Sequence, residues 1–294
     1  MNDKTPITES IKDFLNSRDI QTLSDSSQDM YRYALVNFSG YFSDEKVIDV
    51  SAGTLETLCS FLLENKKSIS TIKQYLTIVK MYLKWAGNPI EYSFKAPAGA
   101  KKKQQMKQIE RMFTEDEVER IMAYEFQNGT ALRKKIMVRL LFETGARINE
   151  IACIKWKDIN PMERTVWLRT SKTVPRPAFI SRETNLMLSR YRESDAFNFT
   201  GDDDDLEWEK NLFPNVAHCK AVFTKMLVDL GLKKPGRSSH TCRHYFATML
   251  RYDKGVDIDD IAVLLGDTAD IVRSTYLHPT AKHLKGIMDA AMGW

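Results

Sequence analysis

The segment His240-Thr241-Cys242-Arg243-His244 carries residue types that are suited to holding an anion. On a helix, His240, Arg243 and His244 share one face, whereas Cys242 lies about 200° around the axis from His240. A metal site built from His240, Cys242 and His244 is therefore geometrically poor, and no other cluster in the sequence completes one. An arginine between two imidazoles can instead bind a phosphate and move a proton. Considered alone, a basic face that is merely solvated explains the segment equally well.

Three other segments add groups of the same chemistry. Arg147 lies at a turn after an apolar helix, and Glu150, three residues on, either orients it or forms a plain surface pair with it. Lys172 lies at the tip of a predicted hairpin, from which its side chain can swing into a groove. Tyr276 comes nine residues after Asp267, which itself follows an apolar helix and a glycine.

These groups, taken in order, resemble the motifs of the tyrosine recombinase, or phage integrase, family. The matching elements are Thr144-Gly145-Ala146-Arg147, the hairpin Lys172, His240-x-x-Arg243-His244, Leu265-Gly266-Asp267 and Tyr276. A single His-x-x-Arg carries no weight, whereas five matches in order with consistent spacing are specific. The resemblance covers the whole second domain, and the helical first domain is similar to that family's core-binding domain.

The resemblance implies a site-specific DNA recombinase that cleaves and rejoins DNA through a 3′-phosphotyrosine on Tyr276. Arg147 and Arg243 would clamp the nonbridging phosphate oxygens, where negative charge gathers in the transition state. Lys172 would protonate the departing 5′-oxygen, and His240 would assist proton transfer at the nucleophile. No metal and no other cofactor is implied, because the phosphotyrosine preserves the bond energy for rejoining.

Asp267 departs from the family pattern, which usually has His or Trp at this position. A carboxylate near the phosphate is repulsive unless it is protonated or turns away to hold an arginine or the His240 face. We expect Asp267, Glu150 and His244 to support the groups that touch the phosphate without touching it themselves, and we expect activity to be retained. The alternative is a weakened or silent enzyme that only binds DNA.

The first 95 residues are predicted to form a helical, core-binding DNA-binding domain. A helix over Ser24–Tyr41 should bury Met30, Tyr33, Ala34, Phe38 and Tyr41, and a second is predicted over 53–64. Ser70-Thr71 should open a third helix, whose apolar stripe faces away from Lys73, Gln74 and Lys84.

Residues 96–111 are predicted to be a flexible basic linker, because they are rich in lysine and poor in apolar residues. With the polar face of the third helix, this segment supplies the predicted contacts to DNA. The candidates are Lys73, Gln74, Lys84, Lys101, Lys102, Lys103 and Arg111. From spacing alone, a solvated face explains the helix lysines more simply.

Residues 112–294 are predicted to form the catalytic domain. Thr114 and Glu117 make a capping box at its start. Thr165–Arg169 alternates like a strand, and Ala178–Ile180 is predicted to be its return strand. Helices are predicted over 183–192, 215–230, 240–252 and 257–265, so the fold class is mainly α with a small β-hairpin or sheet.

Composition fits a globular protein, with 43% hydrophobic and 28% charged residues and no apolar run long enough for a membrane span. Six acids lie within 202–209, so the remainder of the chain carries a net charge of +10 although the whole carries +4. A basic body of that size suits a polyanion, although a solvated surface also explains it. With no secretory signal and four scattered cysteines expected as free thiols, the predicted location is the cytoplasm, at the nucleoid.

The last segment predicts an assembly. After Pro279, Leu284, Ile287, Met288, Ala291 and Met292 form an apolar stripe on a short helix. The stripe either docks on its own domain or, as the resemblance implies, links protomers. The expected partners are double-stranded DNA target sites, a second copy of the chain and an accessory directionality factor, with a monomer or weak dimer free and a tetramer in the synapse.

The core-binding helices begin by about Thr8, which favours a simple Xer-type or mobile-element recombinase. The competing enzymatic interpretation is a type IB topoisomerase-like or telomere-resolving activity, which uses the same chemistry without partner exchange.

Overall fold

The computed structural model describes residues 6–43, 45–170, 173–194, 209–277 and 281–292. Lys172 and residues 202–208 of the acidic segment lie outside these ranges, and the side chains of Lys101 and Lys102 are likewise not described. The chain divides into two compact units, Met1–Lys102 and Lys103–Trp294. Within the described ranges, no helix combines the length and the apolar character needed to cross a membrane.

The first unit is helical. Its helices are α1 (Ile7–Leu15), α2 (Arg18–Gln21), α3 (Asp25–Tyr41), α4 (Ala52–Glu64) and α5 (Ile69–Trp85), with a 3₁₀ turn at Val47–Asp49. The hydroxyls of Ser51 and Ser68 accept hydrogen bonds from the first turns of α4 and α5, which satisfies N–H groups that have no partner within the helix. The three predicted helices are confirmed, and α5 begins one residue before Ser70. The polar face of α5 exposes Lys73, Gln74 and Lys84.

The buried face of α3 differs from the prediction. Ala34 and Phe38 are buried as expected, and Leu35 is fully buried beside them. Three side chains predicted in the core are instead 38–53% exposed, namely Met30, Tyr33 and Tyr41. Aromatic and thioether groups lie partly in solvent in many proteins, so residue type alone does not fix which face of a helix is buried.

Residues 96–111 are not an extended linker. Ala100–Arg111 forms helix α6, because the segment after Gly99 consists of strong helix formers such as Ala, Lys, Gln, Met and Arg. The low apolar content that predicted flexibility therefore describes a solvent-facing helix. Lys103 is exposed on α6, and Arg111 at its end is half-buried.

The second unit continues with α7 (Glu115–Ala123), α8 (Ala131–Thr144), α9 (Ile148–Ala152), α10 (Arg182–Arg192), α11 (Val216–Asp229), α12 (His240–Tyr252), α13 (Ile258–Leu265) and α14 (Ala269–Ile271). A π-helical turn at Val272–Tyr276 follows, and α15 (Ala281–Met292) ends the described chain. The predicted capping box is confirmed, since the Thr114 hydroxyl accepts from the Glu117 amide at 3.2 Å and the Glu117 carboxylate from the Thr114 amide at 3.0 Å.

Three antiparallel strands, β1 (Ile159–Asn160), β2 (Thr165–Thr170) and β3 (Thr173–Phe179), form a sheet in the order β1-β2-β3. The predicted hairpin is confirmed, but its return strand begins well before Ala178. Val166 pairs with Ala178, and Leu168 pairs with Arg176. All four of these side chains are buried, so a charged residue lies on the inner face of the sheet.

Candidate active site

Arg147 is positioned by a glycine turn. Helix α8 ends at Gly145, whose backbone is left-handed with φ 60°. A Cβ at Gly145 would lie 2.6 Å from Phe246 and 2.8 Å from Leu265, so only glycine allows α8 to end against α12 and α13. Arg147 follows as the N-cap residue of α9, and its side chain is 30% exposed.

Glu150 holds two arginines from a buried position. Its carboxylate accepts the backbone N–H of Arg147 at 2.7 Å and both terminal nitrogens of Arg176, at 3.0 and 3.1 Å. The Glu150 side chain is only 1% exposed, and an oxygen lies 3.5 Å from Nη1 of Arg147. The pair is therefore not a surface ion pair, and Glu150 fixes the backbone from which Arg147 projects.

Arg243 is fully buried on α12. Its Nη1 donates to the Gly145 carbonyl at 2.9 Å and its Nη2 donates to the Leu265 carbonyl at 2.8 Å. Among the described residues, Nε of Arg243 has no hydrogen-bond partner. The guanidinium is thus anchored to the ends of α8 and α13, and it retains donor capacity for an anion.

Asp267 lies between the two arginines. Its Oδ1 and Oδ2 accept from Nη2 of Arg147 at 2.7 and 3.0 Å, and Oδ2 also accepts from Nη2 of Arg243. Burial raises the pKa of Asp267, but hydrogen bonds and charge from Arg243 and Arg147 outweigh burial and lower it. The carboxylate is therefore ionised at neutral pH, and it turns onto the arginines rather than becoming protonated.

Tyr276 is enclosed by the basic face of α12. Its ring centroid lies 5.7 Å from that of His240 and 5.0 Å from that of His244, and 4.9 Å from Cζ of Arg243. The residue is 3% exposed. The hydroxyl of Thr248 donates to the Tyr276 carbonyl at 3.1 Å, which ties the π-helical turn to α12.

Burial sets the protonation states of the two groups that would exchange a proton. It raises the pKa of Tyr276, although Arg243 opposes the shift. The ring of His240 packs on Tyr276 and His244 although the residue as a whole is exposed, and desolvation with the charges of Arg243 and Arg147 lowers the pKa of His240. At neutral pH the site thus holds a neutral phenol and a neutral imidazole that can accept a proton.

The structure brings most of the predicted site residues together on α9, α12, the end of α13 and the π-helical turn. They are Arg147, Glu150, His240, Arg243, His244, Asp267 and Tyr276. Lys172 lies outside the described residues, between the end of β2 at Thr170 and the start of β3 at Thr173. Within the described ranges, no group of three or more His, Cys, Asp or Glu side chains could hold a metal ion.

Arg176 was missed by the sequence analysis. It is 6% exposed, its two terminal nitrogens donate to the Glu150 carboxylate, and its Nε donates to the Leu264 carbonyl at 2.9 Å. A Cβ on Gly266 would lie 2.8 Å from Nη1 of Arg176, so the arginine packs directly beneath the turn that carries Asp267. The alternation of side chains along the strand could have predicted this burial, because Arg176 lies two residues before the inward-facing Ala178 and therefore on the same face of the sheet.

Comparisons with known proteins identify the chain's relatives. Residues 111–283 match the phage integrase family. The chain is 26% identical over 298 residues to the tyrosine recombinase XerA of Pyrococcus furiosus, covering 99% of this chain and 96% of that protein. It is 24% identical over 305 residues to the tyrosine recombinase XerD of Oceanobacillus iheyensis, covering 94% and 95% respectively.

Solved structures share the fold at low sequence identity. A post-cleavage complex of the XerH site-specific recombinase with a palindromic difH substrate has a TM-score of 0.72 at 16% identity, covering 96% of this chain and 84% of that one. The Tn1549 transposon integrase in complex with transposon right-end DNA has a TM-score of 0.70 at 11% identity, covering 98% and 100%. At these identities the likeness establishes the fold.

Proposed function

The chain belongs to the phage integrase family and is a tyrosine site-specific DNA recombinase, and from this premise we propose that Tyr276 is its nucleophile. The observation that carries the proposal is the contact of the Tyr276 ring with Arg243, His240 and His244 in one cluster. Two guanidiniums and a phenol are the groups that phosphoryl transfer to a tyrosine needs.

In the proposed reaction, the Tyr276 oxygen attacks the scissile phosphorus while the bond from phosphorus to the 5′-oxygen breaks. His240 accepts the phenolic proton, since its lowered pKa keeps it neutral, and Lys172 gives a proton to the departing 5′-oxygen. Arg147 and Arg243 neutralise the nonbridging oxygens. Attack by a 5′-hydroxyl on the phosphotyrosine reverses these steps and rejoins the DNA.

Tyr276 has to move before it can attack. A phenol that is 3% exposed cannot reach a phosphate in a duplex. The π-helical turn that carries it is a geometry frequently found at functional sites. It is joined to α12 by the Thr248 hydrogen bond, by the ring contacts above and by packing of Val272 in one apolar cluster with Phe246 and Ala247. We propose that DNA binding shifts this turn outward.

DNA would be held through phosphate contacts, which position a duplex without reading its sequence. The proposed contacts on the first unit and α6 are Lys73, Gln74, Lys84, Lys101, Lys102, Lys103 and Arg111. Lys73, Gln74, Lys84 and Lys103 are exposed, as such contacts require. A chain that binds DNA in this way would associate with the nucleoid.

The working form is proposed to be a tetramer on DNA, assembled from a free monomer or weak dimer and directed by an accessory factor. Support comes from α15, where Leu284, Met288 and Met292 are 49–56% exposed. The helix is tied to its own chain by His283, which stacks on Tyr252 and bonds to Asp253. These three side chains therefore remain available to a second protomer, whereas the side chain of Ile287 in the same predicted stripe lies outside the described residues.

The proposal is tested with DNA that co-purifies with the chain in cells, made as duplexes nicked at successive positions. A nick beside the scissile phosphate releases a short fragment and traps the covalent intermediate. Wild type should give an SDS-resistant adduct that Tyr276→Phe does not form, while Tyr252→Phe, a tyrosine outside the cluster, retains it. Absence of an adduct with every nicked duplex would contradict the proposal.

Strand exchange separates recombination from topoisomerase-like chemistry. Two labelled sites incubated together should yield recombinant products. Relaxation of supercoils without such products would favour the topoisomerase-like alternative.

A further inference from the structure

We propose that Asp267 is an internal anion that occupies the phosphate position between Arg147 and Arg243, and that the scissile phosphate must displace it. The inference rests on the proposed function, since it takes those two arginines as the phosphate clamp. It assigns to Asp267 a positioning role: the carboxylate holds the clamp together in the absence of DNA and leaves when DNA arrives.

Asp267 contacts the two arginines in the way that a bound phosphate would. One carboxylate touches both guanidiniums, with Oδ1 lying 2.7 Å from Nη2 of Arg147 and Oδ2 bonded to Nη2 of Arg243. Oδ2 also lies 3.0 Å from Nη2 of Arg147, so this oxygen bridges the two guanidiniums, as a phosphate oxygen would in such a clamp. Asp267 therefore supplies, from within the chain, the charge and the acceptor geometry of a phosphate ligand.

Asp267 and Tyr276 limit access of an anion to Arg243. Arg243 is 0% exposed, and its guanidinium is covered by the Gly145 and Leu265 carbonyls, by the Tyr276 ring and by Asp267. The two carbonyls belong to helix ends, whereas Tyr276 and Asp267 are side chains that can rotate. A phosphate oxygen that contacts Nη2 of both arginines would lie where Oδ2 of Asp267 now lies, and two anions cannot share that position.

The backbone of the turn that carries Asp267 need not move for the carboxylate to leave the arginines. The amide of Asp267 donates to the Ala262 carbonyl at 3.0 Å, and the amide of Gly266 donates to Val263 at 3.1 Å, so the end of α13 is closed by its own hydrogen bonds. Arg176 packs under Gly266 and holds the same turn from below. Displacement is then a rotation of the Asp267 side chain, which is 9% exposed at the edge of the site.

The test uses inorganic sulfate as the probe and the full-length protein without DNA. Anion binding to the folded state stabilises it by RT ln(1 + [L]/Kd), so the dependence of the melting temperature on sulfate concentration gives the apparent Kd. In wild type the clamp is already filled, so sulfate should stabilise weakly. In Asp267→Asn the amide keeps the shape and removes the charge, and the apparent Kd for sulfate should fall at least tenfold relative to wild type.

Three controls sharpen the comparison. Chloride at equal ionic strength corrects for general screening. Asp270→Asn removes an exposed carboxylate three residues away, which pairs with the exposed Arg273, and should leave the sulfate response at the wild-type level. Adding Arg147→Met to Asp267→Asn should abolish the gained affinity.

A sulfate Kd for Asp267→Asn within twofold of the wild-type value would overturn the proposal, and so would a gain that survives Arg147→Met. If Asp267→Asn does not fold in the absence of sulfate, we expect sulfate, but not chloride, to restore cooperative melting. Failure of sulfate to restore it would overturn the proposal. Because no DNA is present, a missing adduct at Tyr276 would contradict the proposed function without changing this outcome.

Discussion

Replacing Glu150 with glutamine should destabilise the second unit severely. The side chains of Glu150 and Arg176 are 1% and 7% exposed, and Nη1 of Arg176 lies 3.0 Å from Oε1 of Glu150. Glutamine preserves the volume but removes the charge. If its oxygen keeps the two contacts of Oε2, with the Arg147 amide and Nη2 of Arg176, its NH2 donor faces Nη1 of Arg176 where Oε1 now accepts. Removing one partner of a buried ion pair costs about 3–5 kcal/mol, because the remaining charge is left uncompensated.

The assay is urea unfolding of the full chain, followed by hydrogen exchange of peptides from α9 and β3, so that the second unit is measured by itself. The matched control is Asp270→Asn, whose pair with Arg273 is 95% and 60% exposed and should contribute about 0–1 kcal/mol. Combining Glu150→Gln with Arg176→Gln should cost less than the sum of the two single changes, since neither charge is then stranded. A loss for Glu150→Gln no larger than that for Asp270→Asn would refute the reasoning.

Three further outcomes are expected. The pKa of His240 is lowered in the folded chain, so below the ordinary value of 6.5 the unfolded chain binds more protons than the folded chain, and stability should fall as the pH drops through that value. In melting curves, His240→Gln should reduce this loss; a loss equal to that of wild type would contradict the expectation. Deleting residues 282–294 should spare DNA binding in gel-shift titrations but reduce cooperative recombination, and unchanged cooperativity would defeat the protomer-linking role. Lys73→Ala and Lys84→Ala should each weaken DNA binding and reduce the slope of log affinity against log salt by about 1, whereas an unchanged slope would remove that residue from the interface.

The clustering of the site could be predicted where short motifs define it. His240, Arg243 and His244 share a helix face because of their spacing alone, and α12 has the predicted bounds, 240–252. The role of Asp267 stayed open because its partner Arg147 lies 120 residues away in sequence. Spacing fixes neighbours on one helix, but it does not say which side chains meet from different elements.

Other features needed the tertiary structure for different reasons. Arg176 was missed because β3 was predicted to start too late, which removed it from the alternating pattern. Helix α6 was predicted as a flexible linker because composition was weighed above helix propensity. The burial of Tyr276 has no local signal, since it arises from packing on α12 and on the end of α13.

The most direct test of the central claim is to map the residue that carries DNA in the trapped adduct. After nuclease digestion and trypsin cleavage, mass spectrometry should find a nucleotide on the peptide 274–282, which contains Tyr276 as its single tyrosine. A nucleotide on the peptide 244–251, which contains Tyr245, or on any other tyrosine would contradict the account.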